Sequence, residues 1–523
     1  MAFLSAANRR FLEAVSHLLY ANPFLPEMVT YEQQALRGEA IKEDPLWSAS
    51  VSDPDRVRAN TWLIMKRLGP LVKALREDLA HGRTTADEGE LLLYEDALLY
   101  YFYYLYYKQL LQATFSGGAS KARWGFYREF CEEWKHYFQI ANVTLPTGPQ
   151  AGHTFACYYQ IVRAFHHVFD QIIGNSQPAA RLRAAVWQSV FTHDIRRYRR
   201  TLYGRMSEFA TLITGPSGTG KELVARSIAM SRYVPFDENK LIFEKDLPGL
   251  FFPINIAALP GTLVESELFG HKRGSFTGAV QDKRGWLEEC PPLGAVFLDE
   301  IGELDLAIQV KLLRVIETRS FQAVGEGSAQ LHKFEGKLIA ATNQNLERSI
   351  RKRMFREDLY YRLCSDQIAT PSLRQQMEES PGVLRDLILF MAQRVAGTEG
   401  TALAEEATLW IEANLGADYA WPGNYRELEQ CVRNILIRKD YHPQRREAVR
   451  KKGDLFAEAR DGLLTASELL SRYCTLVYGQ TGSYEETARR LEIDRRTVKA
   501  KVDVRMLEEL RGGGNKGRQG MSG

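Results

Sequence analysis

The 523 residues exceed what a single hydrophobic core organises, so two to four domains are expected. An apolar fraction of 45% and a charged fraction of 25% are those of an ordinary globular protein. A formal charge of +3 is close to neutral, so any nucleic-acid surface has to be local. The six cysteines are scattered with no CxxC pair, which argues against disulfides or a zinc site and for a reducing cytoplasm. The opening "MAFLSAANRRFLEAV" lacks the apolar run of a signal peptide.

Residues 1–168 read as mostly helical, with apolar positions at helical spacing in "RRFLEAVSHLLY" and "EFCEEWKHYFQIA". The most membrane-like stretch is "LLLYEDALLYYFYYLYYKQLLQ" (91–112). Its uncharged run, Ala97 to Tyr107, is shorter than the roughly 20 residues a spanning helix needs, so no membrane contact is expected. A buried helix in an aromatic core is the better reading, and an aromatic ligand pocket the weaker one. His166 and His167 are neighbours, so a helix cannot point both at one metal ion. The region carries no catalytic constellation and is expected to be a regulatory or sensory domain.

From 169 the pattern changes to short apolar strands alternating with amphipathic helices, the mark of a parallel α/β sheet. The expected strands are "EFATLITG" (208–215), "LFFPINI" (250–256), "GAVFLDE" (294–300) and "GKLIAATN" (336–343). The α/β part is placed at 169–370 and a helical lid at 371–440. A basic linker (441–462), a helix–turn–helix bundle (463–510) and a disordered tail (511–523) follow.

"GPSGTGKE" runs through Gly215, Pro216, Ser217, Gly218, Thr219, Gly220, Lys221 and Glu222, between a strand and a helix. That is a phosphate-binding loop: backbone N–H groups form an anion nest, the helix N-terminus adds its dipole, and Lys221 adds a point charge. ATP is the expected ligand. Glu222 stands where a Ser or Thr commonly reaches Mg²⁺, so the metal must depend on water and another carboxylate. "AVFLDE" supplies one, ending in Asp299, expected on the Mg²⁺ shell, and Glu300, expected against the attacking water. Asn343 closes the next strand and is placed to orient that water. For Asn255, at the end of "FFPIN", a strand-end turn and a hydrogen bond to Glu300 remain equally open.

"FREDLYYR" offers Arg356 and Arg362 as candidate arginine fingers. In "WPGNYRELEQCVRNILI", Asn424 reads as an N-cap with Glu427 three residues on, placing Arg426 in the first helical turn, in reach of a nucleotide. Leu428, Cys431, Val432, Ile435 and Leu436 form the expected apolar face.

Near the C-terminus, "GSYEETARRLEIDRRTVKAKV" reads as a helix–turn–helix, with a Ser483–Glu486 capping box and Asp494 capping a second helix. That helix presents Arg495, Arg496, Thr497, Lys499 and Lys501, suited to phosphate and base-edge contacts in a major groove. A three-helix bundle with a solvated basic face is the bland alternative.

Taken together, "GPSGTGKE", "ESELFGHKRGSFTGA", "VFLDEIGELDLAIQVKLLRVIE", "AATNQNL", "FREDLYYRL" and "WPGNYRELEQ" resemble the AAA+ domain of the bacterial enhancer-binding proteins, the ATPases that activate sigma-54 RNA polymerase. The resemblance covers about 170–440. It implies an ATP-hydrolysing ring, usually a hexamer, bound to upstream enhancer-like DNA through a Fis-like C-terminal module. It implies that Arg356 and Arg362 reach a neighbour's nucleotide and that Arg426 senses nucleotide from the lid. It also implies that Gly274, Ser275, Phe276, Thr277, Gly278 and Ala279 form a surface tip that engages sigma-54, with Phe276 as apolar and Thr277 as polar contact. Ser275 departs from the family's usual Ala, Pro216 from its frequent Glu, and residues 231–250 are longer than is common there. A AAA+ remodelling chaperone with a non-transcriptional client is the alternative, and a DNA-binding regulator with a dead ATPase a third.

Overall fold

The computed structural model describes residues 3–43, 57–115, 124–243, 248–327, 330–416, 419–443 and 464–503. Most of the expected linker and all of the expected tail lie outside the described residues. The chain divides into two compact units, Met1–Tyr441 and His442–Gly523.

The first unit opens with seven main helices: α1 (Ala6–Tyr20), α2 (Glu27–Leu36), α3 (Ala59–Ala80), α4 (Glu88–Phe115), α5 (Tyr127–Phe138), α6 (Ala151–Gln171) and α7 (Gln177–Phe191). Three start on side-chain caps: Ser5 accepts from the N–H of Asn8, Asp87 from that of Glu90, and Ser176 from that of Ala179, with Pro178 in the first turn. Helix α4 is the membrane-like stretch. It is apolar on nearly every side because it is packed on nearly every side. Phe102 meets Phe130, Trp134 and Phe138 edge-to-face at ring separations of 5.6–5.8 Å. The two acids in that stretch are buried and paired. Asp96 accepts from Ser16 Oγ and Tyr20 OH at 2.6 Å each and pairs with Arg196, while Glu95 accepts from Thr147 N at 3.0 Å and lies 3.7 Å from Arg199. Among the described residues no helix is long and apolar enough to cross a membrane.

A five-stranded parallel sheet follows, from β1 (Thr211–Thr214), β2 (Phe251–Asn255), β3 (Ala295–Asp299), β4 (Lys337–Thr342) and β5 (Asp366–Ala369), in the order 2-3-4-1-5. Four of these lie where the apolar runs place them. The fifth, "DQIA", was not anticipated: only Ile368 is buried, so it carries too little apolar signal for a strand. The register sets Asn255 beside Asp299 and Thr214 beside Thr342, so the C-terminal strand ends form one edge. The phosphate-loop helix α8 (Lys221–Met230) packs on this sheet.

The long segment after α8 acquires a place. Phe236–Asp237 and Ile242–Phe243 pair as an antiparallel hairpin lodged in the N-terminal aromatic core. Phe243 stacks on Tyr159 at 3.8 Å between centroids and meets Trp124 at 4.8 Å, while Phe236 lies 4.7 Å from Tyr127 and 4.9 Å from Phe155. Tyr127 donates to Glu238 at 2.5 Å. Helix α6, which runs through residue 168, donates from Gln160 to the carbonyl of Ser231 at 2.9 Å and from Arg163 to that of Arg232.

The lid helices α9 (Val383–Ala396), α10 (Gly400–Asn414) and α11 (Asn424–Arg438) close around Trp421. Leu428, Cys431, Val432 and Ile435 are buried as expected, but Leu436 is 47% exposed and lines an open cavity beside the phosphate loop. The second unit contains α12 (Ala466–Thr481), α13 (Tyr484–Leu491) and α14 (Arg495–Lys501).

Because Phe243 is wedged between two aromatic rings, Phe243→Ala is expected to lower stability by roughly 2–3 kcal/mol, read as a lower midpoint in urea denaturation.

Candidate functional site

The loop Gly215–Lys221 folds as an anion nest because three of its glycines take positive φ: 150° at Gly215, 77° at Gly218 and 85° at Gly220. Two are also sterically required. A Cβ on Gly215 would lie 2.1 Å from Thr370 Oγ1, and one on Gly218 would lie 2.2 Å from the carbonyl oxygen of Gly423. Thr219 Oγ1 is hydrogen-bonded to Thr370 Oγ1 at 2.6 Å, fixing the loop to the chain just past β5. Lys221 folds over the nest, donating to the carbonyls of Gly215 (3.1 Å) and Pro216 (3.2 Å). Burial lowers its pKa, while Glu300 and Asp299 act in the opposite direction.

Asp299 ends β3, and burial raises its carboxyl above the ordinary range. Glu300 follows in the left-handed region at φ 55°, unusual for a non-glycine residue and a mark of functional strain. Its carboxylate accepts from Asn343 Nδ2 at 2.9 Å and from Asn343 N at 3.2 Å. That is a correction: the open reading of Asn255 as the partner of Glu300 gives way to Asn343. Asn255 is exposed, at the strand edge beside Asp299. Glu222 also lines the cleft but is paired with Arg226 at 3.1 Å, which leaves Asp299 as the unpaired carboxylate at the strand end suited to a cation.

The lid reaches the same cleft. Asn424 is not the N-cap; Gly423 is, and Glu427 accepts from Gly423 N at 2.6 Å. The Asn424 side chain instead bridges two segments, donating to the carbonyl of Ser217 and accepting from Leu373 N, both at 2.9 Å. Tyr425 N donates to the carbonyl of Gly218 at 3.1 Å. Arg426 thereby lines a cavity of about 860 Å³ with Gly218, Lys221, Asp299 and Glu300, large enough for a nucleotide. Arg356 and Arg362 do not line it. They are exposed, paired with Asp358 at 2.6 Å and Glu317 at 3.1 Å. Sequence reasoning missed three positioning residues: Thr370, the bridging role of Asn424, and Gln309. Gln309 is fully buried, donates to the carbonyl of Met354 at 3.1 Å and accepts from Arg356 N at 2.8 Å, so it pins the arginine turn. A buried Gln within an apolar helix is the one signal that pointed to it.

In the 274–279 loop, Gly274 (φ 80°) and Gly278 (φ 103°) frame a tight turn in which Gly274 N donates to the carbonyl of Ala279 at 2.8 Å. Thr277 is exposed, whereas Phe276 is half-buried, its ring 4.9 Å from that of His271. The large apolar side chain held out in water is Val280, 78% exposed. Ser275 lies against Gly325, and its buried Oγ has no hydrogen-bond partner among the described residues. Lys272, at the loop base, pairs with the buried Glu326 at 3.5 Å.

In the C-terminal bundle Asp494 caps α14 by accepting from Arg496 N at 2.7 Å, as expected. Ser483 accepts from Glu486 N, but Glu486 turns to Arg489 and Arg490 rather than completing a capping box. Arg496 and Lys499 are exposed and Thr497 is half-buried. Arg495 pairs with Glu485 at 2.9 Å, and Lys501 donates to Ser467 Oγ at 2.7 Å.

The sheet order, phosphate loop, acidic strand end and helical lid define a AAA+ P-loop domain. Residues 191–369 match the family described as the sigma-54 interaction domain, and the central domain is of that kind. The chain is 42% identical over 238 residues to the DNA-binding transcriptional regulator NtrC of Salmonella typhimurium, covering 45% of this chain and 46% of that protein. It is 36% identical over 274 residues to the Nif-specific regulatory protein of Enterobacter agglomerans, covering 52% and 45%. It is 40% identical over 231 residues to the sigma54-dependent transcriptional regulator SfnR of Pseudomonas fluorescens, covering 44% and 57%. The chain thus spans about half the length of these relatives.

Two outcomes follow. Ser275→Ala removes a buried, unpartnered hydroxyl and is expected to raise stability by about 1 kcal/mol, seen as a higher denaturation midpoint. Asn424→Ala leaves Ser217 O and Leu373 N without partners and is expected to cost roughly 1–3 kcal/mol and to weaken ATP binding, measured by nucleotide titration.

Proposed function

We propose that the protein is a sigma-54-dependent transcriptional activator that hydrolyses ATP in an oligomeric ring, six subunits being the expected number, and remodels sigma-54 RNA polymerase at a promoter. The observation that carries this reading is the glycine-framed 274–279 turn on a domain of the sigma-54-interacting family, exposing Thr277 with Val280 next to it.

Bound ATP with Mg²⁺ supplies the phosphoryl group and its charge neutralisation. The nest and Lys221 would hold the phosphates and Asp299 the metal, with Glu300, its carboxylate fixed by Asn343, placed to take a proton from water. Arg356 and Arg362, turned away from their own chain's cleft, serve the neighbouring subunit, and Arg426 reads the nucleotide from the lid. The helices before about residue 168 form the regulatory domain. Arg496, Lys499 and Thr497, with Arg495 and Lys501 once released from their partners, face upstream DNA. The six free thiols suit a reducing cytoplasm.

The test is open-complex formation by purified protein with sigma-54 polymerase and ATP. Thr277→Ala is expected to keep ATP turnover and lose promoter opening; equal opening by this variant would refute the proposed contact. Glu300→Gln is expected to bind ATP and turn it over at least about a hundredfold more slowly.

A further inference from the structure

On the opposite edge of the sheet from the nucleotide cleft lies a second cavity, of about 870 Å³. Its position follows from Lys337, the first residue of β4, which points into it while Asn343 past the other end serves the cleft. Strand rise puts the two on the order of 20 Å apart.

Four cations line this cavity: Arg232, Arg319, Lys333 and Lys337. Among the described residues none of the four has a carboxylate oxygen within 4 Å. Arg232 donates to the carbonyl of Gly294, Arg319 to that of Gly336 at 2.5 Å, and Lys337 to those of Phe209 (3.1 Å) and Met206 (3.4 Å). Two acids, Glu208 and Glu335, also line the cavity. Glu208 is held by Arg205 at 2.9 Å and acts on Arg319 from further off, as does Glu335, while Asp366 accepts from Ser189 and Thr211 and acts on Lys337 without an ion pair. Carbonyl dipoles solvate a cation but do not neutralise it, and buried charges are normally paired. Burial together with mutual repulsion lowers Lys337 to about 8 and Arg232 to about 10. With four cations against two lining carboxylates, and no ion pair closing on any of the four among the described residues, the cavity keeps an excess of positive charge that suits an anion.

We propose that this cavity is a second anion site, taking a small solute that bears phosphate groups, whose oxygens supply the negative charge that Arg232, Arg319 and Lys337 lack. The site adjoins the N-terminal domain: Gln160 and Tyr198, hydrogen-bonded to each other at 2.7 Å, form part of its wall. Arg232 stands two residues past the end of the phosphate-loop helix, so an anion held there would sit against the base of that helix. The inference is independent of the sigma-54 reading, since it concerns binding and not the client.

The experiment uses the full chain with the phosphate loop saturated by Mg–ADP, so that only a second site can respond. Inorganic pyrophosphate and inorganic phosphate are titrated separately by calorimetry, and the thermal midpoint is followed in parallel. Saturable binding of one pyrophosphate per chain is expected, weakened roughly tenfold or more in Arg319→Gln, with the variant's midpoint no longer rising on addition of pyrophosphate. Tighter binding of pyrophosphate than of phosphate assigns a diphosphate-sized ligand, and equal binding a single phosphate. Lys337→Gln extends the test if it folds; Arg319→Gln, at a half-buried position, carries it otherwise. Absence of binding to the ADP-saturated protein, or identical binding by the variant, overturns the proposal.

Discussion

The lid meets the phosphate loop backbone to backbone, and the geometry of the cleft depends on that approach. A side chain at Gly218 would strike the carbonyl of Gly423, so glycine is enforced by contact as well as by its positive φ. Asn424 and Tyr425 then fasten the lid to loop carbonyls at Ser217 and Gly218. At Gly218 the contact is direct, with no side chain between the two backbones to absorb a displacement. A loop that shifts around a phosphate therefore shifts the start of α11 and carries Arg426 with it. Lys221 is repelled by Arg426 and attracted by Asp299 and Glu300 across the cleft, so a phosphate is favoured beside the two cations, and the acids favour a cation on its other side.

The acidic strand end is connected outward by direct contacts. Glu300 is bound by both donors of Asn343, and the next residue, Gln344, donates to Glu303 at 2.6 Å. Gln309 then ties the following helix to the turn bearing Arg356. Within one chain the arginine pair is displaced from the cleft: Gln309 fixes the backbone at Arg356, while both guanidinium groups rest in exposed ion pairs with Asp358 and Glu317 and are free to exchange them for another partner.

The chemistry-bearing parts were legible in the sequence because each combines a residue type with a local context. A glycine loop between strand and helix, or two acids closing an apolar strand, leaves few structural choices. Long-range pairings were not legible. Whether Glu300 bonds to Asn255 or Asn343 depends on which strand neighbours β3 and on the backbone turn after it, and residue types alone are equal on that point. Strand β5 was missed because its Asp366 and Gln367 are polar; Asp366 is spent on Ser189 and Thr211 rather than on solvent. Phe276 was read as a protruding contact, but its ring gains more from His271 than from water, leaving Val280 as the apolar group in solvent.

The N-terminal domain is interlocked with the ATPase core and is not strung beside it. A helix leaves its last carbonyls unsatisfied, and those just past the end of α8 accept from Gln160 and Arg163 of α6. The chain then enters the N-terminal aromatic core as the 236–243 hairpin before returning to form β2. The phosphate-loop helix is thus held at one end by the nest and at the other by residues of a different domain. A cut at residue 168 would fall inside α6, strip partners from Ser231 and Arg232, and expose Phe236 and Phe243 to water. Any change in activity after such a cut would combine lost regulation with lost support. Substitution at Gln160 separates the two, because it removes the bond to Ser231 while leaving the aromatic rings of the N-terminal core in place.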